Sequence, residues 1–375
     1  MASQNTAAAA AGEALTARPA IDRLVPYSPG KPIEETKREF GLTDVIKLGS
    51  NENALGLSPK AVAAMHEAIA SLNLYPDGAA FNLKEALSQL WGVPHNHIAV
   101  GNGSDEIIHY LGIAYLRHGD NIVQGDPSFV RYESAAVLNE AECVKVPLTD
   151  LTHDVDAMAA AVNDATRMVF LTNPNNPTGT MNSRAEVERL MDRLPPSVLL
   201  VLDEAYAEYV ERDDYPNSIE YVKQGRPVIV LRTFSKVYGI AGLRVGYGLA
   251  RPDIIRAVEQ VREPFNVNTL AQVGALAALS DTEFVERSRK NNADGKRALM
   301  AGFDRLGCPY APAEGNFIFV DVRRNSREVY NALLRKGVIV RTGDIFGLPT
   351  YLRVTIGTPD ENARFLRELE TILLG

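Results

Sequence analysis

Cysteine is scarce in this sequence, since only Cys143 and Cys308 occur among its 375 residues. The two lie far apart and form no CxxC pair, which argues against a disulfide framework and fits a reducing cytoplasm. Long apolar runs are also lacking: no stretch of about eighteen apolar residues occurs, so we expect no membrane span. The first residues are rich in alanine and lack the basic start of a signal peptide, so we interpret residues 1–20 as a disordered tail.

An excess of positive charge is absent as well. The formal net charge is -8, whereas a surface that binds a polyanion needs the opposite sign. Nucleic acid is therefore not an expected partner. His95 and His97 stand close together, but they have no third ligand nearby, so we expect no metal site.

The length of 375 residues predicts about two domains, and the order of apolar segments predicts an α/β protein. Prolines break residues 21–50, which we interpret as an N-terminal arm. In residues 51–265, short apolar runs alternate with amphipathic segments, which predicts a large domain with a mainly parallel sheet covered by helices. Over residues 266–375, predicted helices and strands are mixed at shorter spacing, which predicts a smaller α+β domain. The predicted strands are 97–100, 121–124, 141–146, 168–172, 198–203, 228–232, 316–322, 337–341 and 351–356.

Two helices show their starts in the sequence. Ser58 is a candidate N-cap for a helix over 59–72, whose inward face would carry Val62, Met65, Ile69 and Leu72. Ser183 and Glu186 have the spacing of a capping box ahead of a further helix.

The segment TFSKVYGIAGLRVG follows the apolar run 228–231 and brings one lysine to the end of a strand. Loops at strand ends carry the chemistry of many α/β proteins. Lys236 is thus a candidate nucleophile that forms an imine with an aldehyde, with a solvated surface lysine as the alternative. Arg244 could supply a nearby cation or hold a phosphate.

Other strand ends carry polar groups. The turn at Gly103 and Ser104 leads into a helix, which suits a phosphate, although a simple tight turn would look the same. In NPNNPTG the two prolines hold Asn176 in place, for a specific hydrogen bond or merely as an elaborate turn. Asp203 ends a buried strand and must be paired or protonated, unless it is an N-cap, and Tyr206 follows it.

One cofactor uses a lysine, a carboxylate, an amide, a phenol and a phosphate loop together: pyridoxal phosphate. The motifs NPNNPTG, DEAY, TFSKxxGxAGLRxG and YLRVTIGT occur in this order. From about residue 21 to the C-terminus, the sequence resembles the aspartate-aminotransferase-like superfamily of fold type I, and within it the histidinol-phosphate aminotransferases.

This resemblance implies a role for each motif residue. Lys236 would bind the cofactor aldehyde and move the substrate proton, Asp203 would pair with the ring nitrogen, and Asn176 and Tyr206 would bond the ring oxygen. Phe129 would stack on the ring. The phosphate would be held by Gly103, Ser104, Thr233, Ser235 and Arg244, and by Tyr75 of the second subunit of a homodimer.

The same resemblance places the substrate. Arg353 would bind its anionic end, and Arg341 with Tyr27 would complete a phosphate clamp. A structural salt bridge is the alternative for Arg341. Asn53, in the asparagine-rich loop 49–59, is a further substrate-binding candidate.

The implied activity is transamination of L-histidinol phosphate with 2-oxoglutarate, which gives glutamate, in histidine biosynthesis. An aromatic amino-acid or broad-specificity aminotransferase is the nearest alternative, because both arginines could bind a carboxylate instead. A cofactor-binding regulator would need a DNA-binding module, and the polar tail before residue 21 is too short for one. A decarboxylase or lyase on the same scaffold is a third alternative, since fold does not fix the reaction.

Overall fold

The structure, a computed structural model, describes residues 15–26 and 29–375. Most of the predicted tail and the substrate candidate Tyr27 lie outside the described residues. The arm begins with a 3₁₀ helix at Pro19–Arg23, where Arg23 forms an ion pair with Glu142 at an N–O distance of 3.0 Å. Helix α1 (Ile33–Phe40) and strand β1 (Ile46–Lys47) complete it.

A seven-stranded sheet forms the main core, in the order β2-β8-β7-β6-β5-β3-β4. Its strands are β2 (Ile98–Gly101), β3 (Asn121–Asp126), β4 (Glu142–Pro147), β5 (Thr166–Thr172), β6 (Leu199–Asp203), β7 (Val228–Thr233) and β8 (Gly246–Ala250). Only β8 runs antiparallel to its neighbours, so the prediction of a mainly parallel sheet is confirmed. The carboxyl ends of the parallel strands therefore meet at one edge.

Strand β8 is the one member of this sheet that the sequence analysis missed. Its segment contains Gly246 and Gly248, and glycine is depleted in strands because it adds no packing side chain. The close packing of the structure explains the first glycine. A Cβ atom at Gly246 would lie 2.5 Å from the backbone nitrogen of Ser104.

Helices cover both faces of the sheet, as predicted. They are α2 (Pro59–Ala68), α3 (Phe81–Trp91), α4 (Ser104–Tyr115), α5 (Arg131–Leu138), α6 (Val155–Ala160), α7 (Arg184–Arg193), α8 (Ser218–Lys223) and α9 (Pro252–Val261). Along β5, Val169 and Leu171 enter one apolar core, whereas Met168 and Phe170 enter the other. Because both faces are buried, the middle of the strand, residues 168–171, is apolar at every position instead of alternating.

Both predicted helix starts are confirmed. The Ser58 side chain accepts a hydrogen bond from the N–H of Ala61, and Ser183 with Glu186 forms a reciprocal capping box. The predicted inward face of α2 is wrong for its last two residues, however, whereas Val62 and Met65 are half-buried. The α-helix ends at Ala68, and a 3₁₀ turn leaves Ile69 53% exposed and Leu72 46% exposed.

The C-terminal part builds a second core. Helices α10 (Thr269–Leu279) and α11 (Thr282–Leu306) lead to β9 (Phe317–Asp321), α12 (Ser326–Arg335), β10 (Val338–Ile339), β11 (Arg341–Thr342), β12 (Tyr351–Thr355) and α13 (Pro359–Leu374). Strands β11, β12 and β9 form an antiparallel sheet. The predicted strand 337–341 is divided, because β10 pairs with β1 instead.

Helix α10 contributes Ala271 and Ala275 to the core of the large sheet, so it packs there although it follows residue 265. The domain bounds given above stay a prediction. Within residues 15–26 and 29–375, no helix is both long and apolar enough to cross a lipid bilayer.

Candidate active site

A cavity of about 510 Å³ lies at the carboxyl ends of the parallel strands, where the arm and the second core close over them. This edge is where ligands bind in open α/β sheets. Most of the predicted site residues line it. They are Ser104, Phe129, Asn176, Asp203, Tyr206, Thr233, Ser235, Lys236, Arg244, Arg341 and Arg353.

One end of the cavity is built to hold an anion. Ser104 is the first residue of α4, where backbone N–H groups and the helix dipole favour negative charge. Arg244 reaches the same end, and its Nη1 lies 3.4 Å from the Ser235 Oγ. Gly103 makes room for this arginine: its φ is +82°, and an added Cβ would lie 2.7 Å from the Arg244 Nη2. The hydroxyls of Ser104 and Ser235, the N-terminus of α4 and the Arg244 guanidinium thus lie together at this end of the cavity.

Asp203 provides a buried carboxylate at the end of β6. Its Oδ2 accepts a hydrogen bond of 2.7 Å from the Tyr132 hydroxyl, and its Oδ1 accepts one of 3.2 Å from the Ala205 N–H. Among the described residues, no basic side chain forms an ion pair with it. Burial raises the pKa of the Asp203 carboxyl from 3.8 to about 6, whereas the Tyr132 hydrogen bond lowers it. This carboxylate therefore favours a cationic partner.

Tyr132, which the sequence analysis missed, fixes the position of Asp203. It lies on α5, is fully buried, and stacks on Phe170 with ring centroids 4.4 Å apart. Its hydroxyl lies 2.8 Å from the Thr172 Oγ1 as well as 2.7 Å from Asp203. Only its place in PSFVRY, three residues after the predicted stacking residue Phe129, could have signalled it.

A buried ion pair joins the ends of β6 and β7. Arg232 reaches Glu204 at an N–O distance of 2.6 Å and Glu208 at 3.2 Å. The Arg232 guanidinium carbon also lies 5.2 Å from the centre of the Trp91 ring. These contacts fix the strand that carries Asp203 relative to the strand that leads to Lys236.

Lys236 and the two predicted ring-oxygen donors occupy the middle of the cavity. The Lys236 Nζ lies 5.4 Å from the centre of the Tyr206 ring. The Asn176 Oδ1 accepts a hydrogen bond of 2.6 Å from the Arg353 Nη1, which leaves the amide N–H₂ to donate elsewhere. The Tyr206 hydroxyl accepts one of 3.1 Å from the Asn51 Nδ2.

Two arginines form the wall opposite the sheet. Arg341 and Arg353 are direct partners in the register of β11 and β12. Like charges directly opposite each other destabilise an antiparallel pair. A second hydrogen bond, 2.8 Å from the Arg353 Nη2 to the Gly49 carbonyl, holds that guanidinium. Such a pair suits an anionic ligand.

The structure does not bring every candidate to the cavity. The Asn53 amide donates to the Val237 carbonyl at 2.8 Å and to the Ser288 Oγ at 2.9 Å, so it ties the arm loop to its surroundings instead of lining the cavity. This arrangement does not support its predicted substrate role, which stays a prediction. Tyr75 is 82% exposed and stacks on Phe265, outside the cavity of its own chain. Arg131 also lines the cavity, although the sequence analysis did not identify it as a site residue.

Comparison with known proteins agrees with this geometry. Residues 43–369 match the family described as aminotransferase class I and II. The chain belongs to this family. Histidinol-phosphate aminotransferase of Moorella thermoacetica is 56% identical to this aminotransferase over 357 residues, which are 95% of this chain and 92% of that protein.

Two further relatives of this aminotransferase extend the comparison. Histidinol-phosphate aminotransferase 2 of Carboxydothermus hydrogenoformans is 47% identical over 357 residues, 95% of this chain and 99% of that protein. The crystal structure of histidinol-phosphate aminotransferase from Sinorhizobium meliloti in complex with pyridoxal-5'-phosphate matches with a TM-score of 0.89 and 26% identity. The match covers 97% of this chain and 99% of that one.

The residues of this aminotransferase fit pyridoxal phosphate. Asp203 is a buried carboxylate without a basic partner among the described residues, which suits a protonated ring nitrogen. The hydroxyls and Arg244 at the other end of the cavity suit the phosphate. Lys236 lines the same cavity.

Proposed function

We propose that this aminotransferase uses pyridoxal phosphate to transfer the amino group of L-histidinol phosphate to 2-oxoglutarate, in histidine biosynthesis. The observation that carries the substrate assignment is the pairing of Arg341 with Arg353 across β11 and β12 in the cavity wall. The names of the relatives from Moorella thermoacetica and Carboxydothermus hydrogenoformans support the same substrate. An assay for glutamate formed from histidinol phosphate and 2-oxoglutarate tests it, and absence of glutamate would contradict it.

When bound, pyridoxal phosphate supplies a ring that takes up the electrons released as the substrate Cα loses its proton. Asp203 keeps the ring nitrogen protonated, since burial leaves its carboxylate in need of a cation. Tyr206 and Asn176 donate hydrogen bonds to the ring oxygen. Lys236 would hold the cofactor; once the substrate amino group displaces it, the freed amine would accept the Cα proton and deliver it to the former aldehyde carbon of the cofactor.

The arginine pair binds the phosphate of the substrate. A phosphate presents three acceptor oxygens, and two guanidinium groups satisfy them by forked hydrogen bonds. Arg353 is held by Asn176 and Gly49, so it is already oriented before the substrate arrives. Preorganised donors bind an anion without a further ordering cost.

Replacing Arg341 with methionine is expected to lower kcat/KM for L-histidinol phosphate about 100-fold, because charge-assisted hydrogen bonds to the phosphate are lost. The loss for phenylalanine should be below about tenfold, since its carboxylate needs fewer donors. Steady-state kinetics with both substrates measure the difference. Arg335→Met, at an exposed position of α12, is the matched control. Equal losses for both substrates would contradict the phosphate clamp.

The active protein is a homodimer in this proposal. Ile69, Leu72, Leu74 and Tyr75 are exposed, with the last stacked on the 44% exposed Phe265. Such an apolar patch marks an interaction surface. A two-fold interface over it carries Tyr75 to the phosphate end of the partner's cavity.

Mixing two inactive variants tests this arrangement. Tyr75→Ala and Lys236→Ala lie in different chains of a mixed dimer, where one site receives both changes and the other receives neither. If Tyr75 serves the partner's site, random exchange of subunits should restore activity to about a quarter of wild type, because half of the dimers are mixed. Activity assays after exchange measure this. If activity stays at the level of the separate variants, Tyr75 serves its own chain.

The cytoplasm is the proposed compartment. Cys143 and Cys308 are both free thiols in the structure, which agrees with a reducing environment. The proposed substrates are the small molecules L-histidinol phosphate and 2-oxoglutarate.

A further inference from the structure

Asn51 lies in a strained and buried position on the cavity wall. It follows β1 in the arm, its side chain is 1% exposed, and its φ is +56°. The left-handed region is unfavourable for residues other than glycine, although less so for asparagine than for most. Strain of this kind persists where the surrounding structure requires it, often at a functional site.

Thr355 fixes the orientation of the Asn51 amide. The Thr355 Oγ1 accepts a hydrogen bond of 2.9 Å from the Asn51 backbone N–H and donates one of 3.0 Å to the Asn51 Oδ1. If the amide were turned over, the buried Thr355 hydroxyl would have no acceptor among the residues that the structure describes. An unsatisfied buried donor destabilises the folded state. The amide Nδ2 therefore points away from Thr355.

This Nδ2 points to Tyr206. It donates a hydrogen bond of 3.1 Å to the Tyr206 hydroxyl oxygen. A phenol has one proton, and Asn51 offers it no acceptor, so that proton must turn elsewhere. The Tyr206 side chain lines the cavity, and its ring lies in an edge-to-face contact with Phe317, with ring centroids 5.1 Å apart. The cavity offers a direction for the hydroxyl proton.

We propose that Asn51 is a positioning residue that turns the hydroxyl proton of Tyr206 into the cavity, toward an acidic ring oxygen of the bound ligand. The inference rests on the proposed function, which supplies that oxygen. It also gives Thr355 a role, because the Thr355 hydroxyl orients the Asn51 amide, and that amide orients the Tyr206 hydroxyl. Asn51 thereby connects β12, which carries Arg353 and Thr355, to the Tyr206 hydroxyl that would contact the cofactor.

The charged groups around Tyr206 do not substitute for this contact. Lys236 lies over the ring face, with its Nζ 5.4 Å from the centroid. Arg353 lies beyond Phe317, with its guanidinium carbon 5.5 Å from that ring. Asp203 points to Tyr132 and Ala205. Among the described residues, Asn51 is the group that hydrogen-bonds the Tyr206 hydroxyl.

A spectroscopic titration tests the inference on the cofactor-loaded protein. The readout is the midpoint pH of the change in the visible spectrum of bound pyridoxal phosphate. Tyr206→Phe should raise this midpoint by about one pH unit, because an ionised ring oxygen loses a donor. Asn51→Asp offers an acceptor in place of a donor, so the phenol proton turns away from the cavity. We expect a similar rise.

The double variant N51D/Y206F distinguishes a positioning role of Asn51 from an effect of the added charge or a general loss of structure. If Asn51 acts through Tyr206, the shift caused by N51D should fall to less than half in the Y206F background. An equal shift in both backgrounds would overturn the inference. Thr355→Val should raise the midpoint in the same direction and Thr355→Ser should not, and this pair decides the matter if N51D fails to fold. A wild-type protein without any visible spectrum would contradict the proposed function instead.

Discussion

Replacing Lys236 with alanine is expected to lower transaminase activity by at least about 10⁴-fold, because this amine both attaches the cofactor and moves the substrate proton. The same change should abolish the visible absorbance of covalently bound cofactor. A spectrum recorded after removal of free pyridoxal phosphate, together with the glutamate assay, measures both effects.

The matched control is Lys290→Ala, at an exposed position of α11 that forms an ion pair with Asp294 on the same helix. This variant should keep the wild-type spectrum and activity. Persistence of the visible absorbance in the K236A protein would refute the assignment of Lys236.

Replacing Asp203 with asparagine is expected to lower activity about 10³-fold, the loss typical for removal of one preorganised electrostatic partner. An amide cannot hold the proton on the ring nitrogen as a carboxylate does. Asp126→Asn is the control, since Asp126 is an exposed carboxylate at the end of the neighbouring strand β3. Wild-type activity in the D203N protein would contradict the proposed pairing.

The same substitution should stabilise the cofactor-free protein at neutral pH. The pKa of Asp203 is about 6 in the folded protein against a usual 3.8, because burial disfavours its charge. The folded state thus binds the proton more tightly, and stability falls as pH rises from about 3.8 to 6. Since one pKa unit corresponds to about 1.4 kcal/mol, the full penalty above pH 6 is about 3 kcal/mol.

Urea denaturation of the two cofactor-free proteins measures this effect. The D203N protein should be more stable than wild type at pH 7.5, and the difference should shrink as pH falls through 6 toward 4. A D203N protein that is less stable at pH 7.5 would show that the carboxylate has a cationic partner already.

The strand ends were predictable because their signals are local. The first four residues of β7, 228–231, are all apolar since both faces of the sheet are covered, and this pattern is readable in sequence. Parallel strands bring their carboxyl ends to one edge, so Asp203, Asn176 and Lys236 were expected to meet. Their motifs also resemble those of a known family.

Contacts between distant segments were not predictable. The hydrogen bond from Tyr132 to Asp203 joins α5 to β6, and the one from Asn51 to Tyr206 joins the arm to the same region. Neither residue has a local pattern that announces its partner. Asn51 lines the cavity and Asn53 does not, although both lie in the same loop, because only the folded backbone determines which amide faces the cavity.

Exposed apolar faces were misread for a different reason. Helical spacing placed Ile69 and Leu72 on one face of α2, and an apolar face is expected to be buried. The structure leaves both exposed, beside Tyr75. Helical spacing identifies such a face, but it does not identify the surface that covers it.

A single-turnover comparison of substrates tests the proposed function most directly. The protein loaded with pyridoxal phosphate is mixed separately with L-histidinol phosphate, phenylalanine and tyrosine, and the loss of visible absorbance is followed. Histidinol phosphate should react with a kcat/KM about a hundredfold or more above the other two, a margin that a dedicated polar site can enforce. If the aromatic acids react equally well or better, Arg341 and Arg353 bind a carboxylate, and the protein is an aromatic or broad-specificity aminotransferase.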